Sequence, residues 1–171
     1  MPPTDRRALR KWITIAAMLI GTLLGPFCFP CRCQESSHAL PESVYGSWVI
    51  KSVYKTHNVT GLNGAAERRL IGSHLRFTQG SVESCGASAS IATVESKDVT
   101  EEEFFAGVYV RFKDVGVTTK TIDEVLVNGG EAGDCNGTGT LPGEHFFIKG
   151  RNEILIQYEG AFFRALKEVA S

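Results

Sequence analysis

With 171 residues, 43% of them hydrophobic and 22% charged, the chain carries too much apolar surface for wholesale disorder. It is also too short for two ordinary domains behind a leader. Its 18 Lys and Arg against 19 Asp and Glu give a net charge of −1, and the basic excess is confined to the start, so the acidic remainder argues against a nucleic-acid-binding surface.

Arg6, Arg7, Arg10 and Lys11 precede an apolar run from Trp12 to Phe29 that only Thr14, Gly21, Thr22, Gly25 and Pro26 interrupt. This is the pattern of a secretory signal. Small residues stand at the −3 and −1 positions of two cleavage points, Ser37 with Ala39 and Cys31 with Cys33. The run also has the length of ~18–20 residues that a bilayer needs, so an uncleaved anchor is the rival reading. Asp5-Arg6-Arg7-Ala8-Leu9 partly matches a twin-arginine signal, which paired arginines in any basic leader explain. Residues 1–39 are therefore read as signal helix and tether, and residues 40–171 as one domain. The address is secreted or periplasmic, with a membrane attachment only if the leader is retained.

Five cysteines need partners. Cys28-Phe29-Pro30-Cys31 has redox spacing, yet it ends a signal segment rather than opening a helix of an α/β fold. Phe27 before Cys28 and Arg32 before Cys33 exclude a lipoprotein box. That leaves Cys85 and Cys135, which are expected to pair in an oxidising compartment. Closing a loop of about 50 residues would stabilise the fold by roughly 4 kcal/mol on chain-entropy grounds.

Eighteen glycines suit the many tight turns of an antiparallel β architecture. The first strand is read at Ser47 to Tyr54, with Trp48, Ile50 and Tyr54 on one side and Lys51 and Val53 on the other. Ala66 to Leu70 reads as one helical turn ended by Gly72. His74 to Thr78 and Ser81 to Cys85 form a hairpin about Gln79-Gly80, and a further strand lies at Ser88 to Val94. Thr100-Glu101-Glu102-Glu103 is a capping box. It opens an amphipathic helix in which Phe104, Phe105, Val108, Tyr109, Phe112 and Val115 recur at helical spacing, with Gly116 as C-cap. A strand over Gly107 to Lys113 is the alternative there. Strands resume at Lys120 to Val127, and a glycine-rich loop carrying Cys135 leads to a meander over Phe146–Ile148, Ile154–Tyr158 and Ala161–Lys167. Seven or eight strands and one good helix make a mainly β chain, and a closed antiparallel barrel is the economical fold because closure removes exposed edges.

Gly46-Ser47-Trp48 near the domain start, with Arg164 in the last strand, resembles the lipocalin/calycin pattern. The resemblance implies a barrel in which the first-strand tryptophan packs at the closed end beneath an arginine from near the final strand, held by a cation–π contact of about 1 kcal/mol. The chain departs from that pattern in carrying its strongest helix signal mid-chain rather than after the eighth strand.

The sequence carries no catalytic signature. His38, His57, His74 and His145 never fall at i,i+2 or i,i+4 spacing, so no metal site is read from them. There is no G-x-S-x-G nucleophile elbow, and no cofactor motif: the glycine-rich run Gly133–Gly139 neither follows a strand nor opens a helix. Asn58-Val59-Thr60 and Asn136-Gly137-Thr138 are glycosylation sequons that matter only in a eukaryotic host. Two functions remain. One is a binding protein with a small apolar ligand inside the barrel, lined by Trp48, Ile50, Tyr54, Phe77 and Phe162. The other is a protein-interaction module, an exported inhibitor or envelope assembly component, whose loops or surface contact another macromolecule; a filled barrel interior with an exposed apolar patch on the loops would favour it.

Overall fold

A computed structural model describes residues 35–37, 39–56, 60–129, 135 and 140–169. The leader from residue 1 to 34, His38, His57 and both sequon asparagines lie outside the described residues. The strands are β1 (Glu35–Ser37), β2 (Gly46–Thr56), β3 (His74–Phe77), β4 (Ser81–Ser84), β5 (Ala87–Thr100), β6 (Thr121–Gly129), β7 (His145–Gly150), β8 (Glu153–Tyr158) and β9 (Ala161–Lys167). From β2 onward each strand pairs antiparallel with its neighbour in sequence, and β9 returns to β2. The result is a closed eight-stranded up-and-down barrel, which has no free edge where the first and last strands would otherwise stand bare.

β1 lies in the stretch read from sequence as a tether. It pairs with Val94 to Ser96 of β5, beyond Ser90 where the short β4 stops. The lead-in that follows is equally engaged: Leu40 and Val44 are buried and join Trp48 and Ile50 in the inner core. At other positions the inner core takes Leu62 from the loop, and Ala66 and Leu70 from a short helix, α1 (Gly64–Leu70), whose N-cap Asn63 accepts from the backbone N–H groups of Ala65 and Ala66. The barrel is thus packed by its own connecting segments as well as by its strands.

Residues alternate between two cores. In β8, Ile154 and Ile156 face the inner cluster and Leu155 the outer one, and all three are buried. Phe146 and Phe163 point in; Phe147 and Phe162 point out. The outer cluster is roofed by α2 (Glu101–Val108) and by a 3₁₀ turn at Phe112–Val115.

The capping box is present as predicted, with the Thr100 hydroxyl accepting from Glu103 N and the Glu103 carboxylate accepting from Thr100 N. The helix it opens is shorter than the spacing predicts. It stops at Tyr109, which is left-handed at φ 53° and ψ 29°. The reason is burial of Val110 and Val117. In a continuous helix, residues two apart point to nearly opposite sides, so Val110 could not share a wall with Val108 and Phe112, nor Val117 with Val115. Breaking the helix turns all of them onto the barrel.

Cys85 and Cys135 are bonded, with Cα atoms 5.6 Å apart, and join the β4–β5 turn to the loop after β6. Nearby, Gly143 at φ +104° lies so close to the inner core that a Cβ would stand 3.1–3.2 Å from Leu75, Val82 and Phe77.

Two glycines should respond oppositely to alanine. Gly107 lies in α2 with open space where a Cβ would go, so Gly107→Ala should stabilise by ~0.5–1 kcal/mol. At Gly129 a Cβ would collide with the Ser90 carbonyl across the β5–β6 irregularity, so Gly129→Ala should destabilise by about 2 kcal/mol or more. Urea unfolding midpoints with unchanged slopes would test both.

Candidate functional site

The residues expected to line a cavity do not converge. Trp48, Ile50 and Phe77 belong to the inner cluster, exposed by 1%, 0% and 2%, and Phe77 packs on Phe146 with ring centroids 5.2 Å apart. Tyr54 and Phe162 belong to the outer cluster instead. For Tyr54 the cause is local. Irregularities in the β2–β9 register between Ile50 and Ser52, and again between Val53 and Lys55, shift the side-chain alternation, so Val53 packs on the inner core and Tyr54 on the outer. For Phe162 the cause is two-sided burial. Of the adjacent pair Phe162-Phe163 only one ring can point inward, and Phe162 meets Phe104 under α2 at 5.8 Å.

Arg164 does not cover Trp48. The residue opposite Trp48 in the β2–β9 register is Lys167, and Arg164 stands opposite Ser52. Lys167 takes the expected place: its Nζ is 5.4 Å from the Trp48 ring centroid and donates to the Ser43 carbonyl at 2.7 Å. The indole Nε1–H donates to the Val44 carbonyl at 2.8 Å, so the buried ring leaves no polar atom unpaired.

Arg164 serves a cluster on the outer wall. Its Nη2 donates to Glu153 Oε2 at 2.9 Å. Tyr54 OH and Lys149 Nζ donate to Glu153 Oε1 at 2.8 and 2.6 Å. Lys149 Nζ also donates to Tyr54 OH and to the Val115 carbonyl, which ties the end of the 3₁₀ turn to the wall. Loss of hydration pushes the Glu153 carboxyl up, but hydrogen bonds from Arg164, Lys149 and Tyr54 outweigh it and bring the pKa down to about 2. With its three N–H bonds directed at three acceptors, Lys149 is a clamp.

A second outer cluster joins Glu124 to His145 at 2.8 Å and to Lys97 at 2.9 Å. Burial raises the Glu124 pKa, but its two partners together leave it lowered. Beside it a crevice of about 80 Å³ opens between Val99, Phe104, Val108 and Phe147.

Asp98 and Asp123 stand directly opposite each other on β5 and β6. They line a surface cleft of about 440 Å³ with Leu40, Pro41 and Ser96. Burial first, then the hydrogen bond and charge of Asp98, raise the Asp123 pKa to about 6. Another cleft, of about 410 Å³, lies beside Cys85 between His74, Arg76 and Glu83. These spaces lie on the surface, and sequence reading missed the carboxylate pair because neither residue belongs to a motif; only the pairing register brings them together. Among the described residues no three of His, Cys, Asp and Glu converge as a metal site, and no helix is long and apolar enough to cross a membrane.

Comparison with protein-family models, with characterised proteins and with solved structures finds no match to this chain. The architecture itself, a closed eight-stranded antiparallel barrel, is compatible with a lipocalin-like fold.

The two shifted carboxylates should shape stability in opposite directions. The pKa of Asp123 is raised on folding, so its contribution is complete below about pH 4 and is lost as pH climbs to about 6. That of Glu153 is lowered, so its contribution is complete above about pH 4.5 and is lost as pH falls toward 2. Asp123→Asn should therefore gain on the wild type between pH 4 and 6. Glu153→Gln should be destabilised at pH 7 and converge on the wild type near pH 2. Denaturation midpoints across pH 2–8 would read both, and parallel curves would contradict the assignment.

Proposed function

We propose that this chain is an exported, non-enzymatic binding protein that acts on a macromolecular partner through its outer surface, with the barrel interior serving as a scaffold. The observation that carries this reading is the filling of the interior. Trp48, Ile50, Leu75, Phe77, Phe146, Ile154, Ile156 and Phe163 all face inward at 2% exposure or less. A carrier barrel keeps such space for its ligand, whereas here Leu40, Val44, Leu62 and Leu70 from connecting segments pack against the same cluster. Among the described residues none of these polar clusters pairs a nucleophile with a base, which supports a non-catalytic role. The Cys85–Cys135 bond suits an oxidising compartment.

Export also constrains where the leader is removed. Cleavage after Ala39 would discard β1 and put a charged amino group on Leu40, which is only 4% exposed. Burying that charge is costly. Cleavage after Cys33 would keep both, which supports Gln34 as the first residue of the exported chain.

The rival reading, an apolar ligand touching Trp48, Ile50 and Phe77, makes a different prediction. Native mass spectrometry of the exported protein should show the polypeptide mass beginning at Gln34 with no bound lipid, and fatty acid should leave Trp48 fluorescence unchanged. Co-purified lipid, or saturable quenching of Trp48, would overturn the packed-scaffold reading. A mass beginning at Leu40 would overturn the cleavage assignment alone.

A further inference from the structure

Ser84 is the one buried polar residue among those described, at 3% exposure, and its hydroxyl lies 3.6 Å from the Cys85 sulfur. A disulfide sulfur carries no proton, so the serine O–H is the donor. Such a sulfur is a weak acceptor, and a hydroxyl taken out of water for it is poorly compensated. A thiolate in the same place would be a strong one, since a hydrogen bond to an ionised acceptor is about twice as strong as a neutral one. The buried hydroxyl is better matched to the reduced pair than to the oxidised one.

The backbone here is unusual too. Cys85 and Gly86 form the turn between β4 and β5, and both have positive φ, 56° and 76°. Hairpin turns of this kind favour Asn-Gly or Asp-Gly, and a cysteine held there is strained. Cys85 is exposed and lines the cleft of about 410 Å³ with His74, Arg76 and Glu83, whereas Cys135 is half-buried and packs against the inner core. Cys85 is thus the end of the bond that another molecule can approach. The loop carrying Cys135 continues into Leu141, Pro142 and Gly143, all buried. The Glu144 N–H closes a turn onto the Leu141 carbonyl at 3.3 Å, and Gly143 stands against Leu75, Phe77 and Val82. The bond therefore fastens this loop to the same β3–β4 hairpin that Gly143 packs on.

We infer that Cys85–Cys135 is a thiol-exchange site that a dithiol reductant opens, and that opening it releases the Leu141–Gly143 segment from the barrel. A thiolate of the dithiol attacks the Cys85 sulfur. The Cys85–Cys135 bond breaks, and Cys135 leaves as a thiolate that takes up the proton lost by the attacking thiol. The second thiol of the reductant then attacks its own partner sulfur in the mixed disulfide, and Cys85 leaves as a thiolate onto which Ser84 donates. The protein gains two electrons and two protons, and the dithiol becomes a disulfide. The strand ladder from β2 round to β9 does not pass through the bond, so the barrel stays closed.

Dithiothreitol is the probe dithiol, added to the purified protein without denaturant, with alkylated cysteines located by peptide mass. Both Cys85 and Cys135 should become open to alkylation while the far-UV circular dichroism keeps its β-sheet form. Amide hydrogen exchange should rise at least about tenfold over Leu141–Glu144 and stay within about twofold in β8 and β9. In the reduced protein iodoacetamide should modify Cys85 at least about threefold faster than Cys135, and Ser84→Ala should slow the reaction of Cys85 by about threefold or more. A variant merely loosened by the lost hydroxyl would expose its thiols and react faster, so the sign separates the two roles. Reduction that needs urea, loss of the β-sheet signal on reduction, unchanged exchange over Leu141–Glu144, Cys85 reacting no faster than Cys135, or a Ser84→Ala variant whose Cys85 reacts as fast as the wild type would overturn the inference. The packed-scaffold reading is decided separately, by lipid binding to the oxidised protein.

Discussion

The rest of the barrel depends on the closing seam around Trp48. Its ring takes a hydrogen bond partner from the lead-in at Val44 and a cation from the last strand at Lys167, so three separate segments are fixed on one side chain. Lys167 in turn donates to Ser43. A ring of this size contributes on the order of 3 kcal/mol by burial alone. More important, it sets the β2–β9 register, and in a barrel a one-residue slip would send every inward side chain out.

That register produces an asymmetric molecule. Around β6 to β9 the wall is buried on both faces, inward against Phe146, Ile154, Ile156 and Phe163 and outward against Phe104, Phe112, Phe147 and Phe162. Around β3 and β4 burial alternates, with Leu75, Phe77 and Val82 inward and His74 and Arg76 exposed. This half is short, and it is here that the Cys85–Cys135 bond and the β1 pairing add covalent and edge support. The staple stands where the apolar area is least, which is where a cross-link is most useful to a small domain.

Much of this was legible in the residues. Alternation over His74 to Phe77, the Gln79-Gly80 turn, the Thr100–Glu103 box and the late meander follow from local rules, and the structure carries them all. What local rules could not supply was long-range register. Tyr54 faces out because of irregularities in the pairing of β2 with β9. Lys167 rather than Arg164 covers Trp48 because of the same pairing. One signal in the sequence did point to the outer core: Phe146-Phe147, Ile154-Leu155-Ile156 and Phe162-Phe163 are continuous apolar runs, and a strand wet on one face has no use for them. Read that way, Phe162 belongs outside. The split of the predicted helix at Tyr109 has a similar cue in Val110, two residues from Val108 and off the helical stripe.

The seam has a consequence for how the protein is made. Each pairing from β2 through β9 joins neighbours along the chain, except the one between β2 and β9, which brings together the far ends of the domain. Such distant pairings form slowly, and this one waits for β9 to emerge during synthesis. Until Lys167 arrives, Trp48 has no lid and the ribbon stays open. A barrel that cannot shut before β9 is made is a ribbon that can still be threaded through a narrow pore.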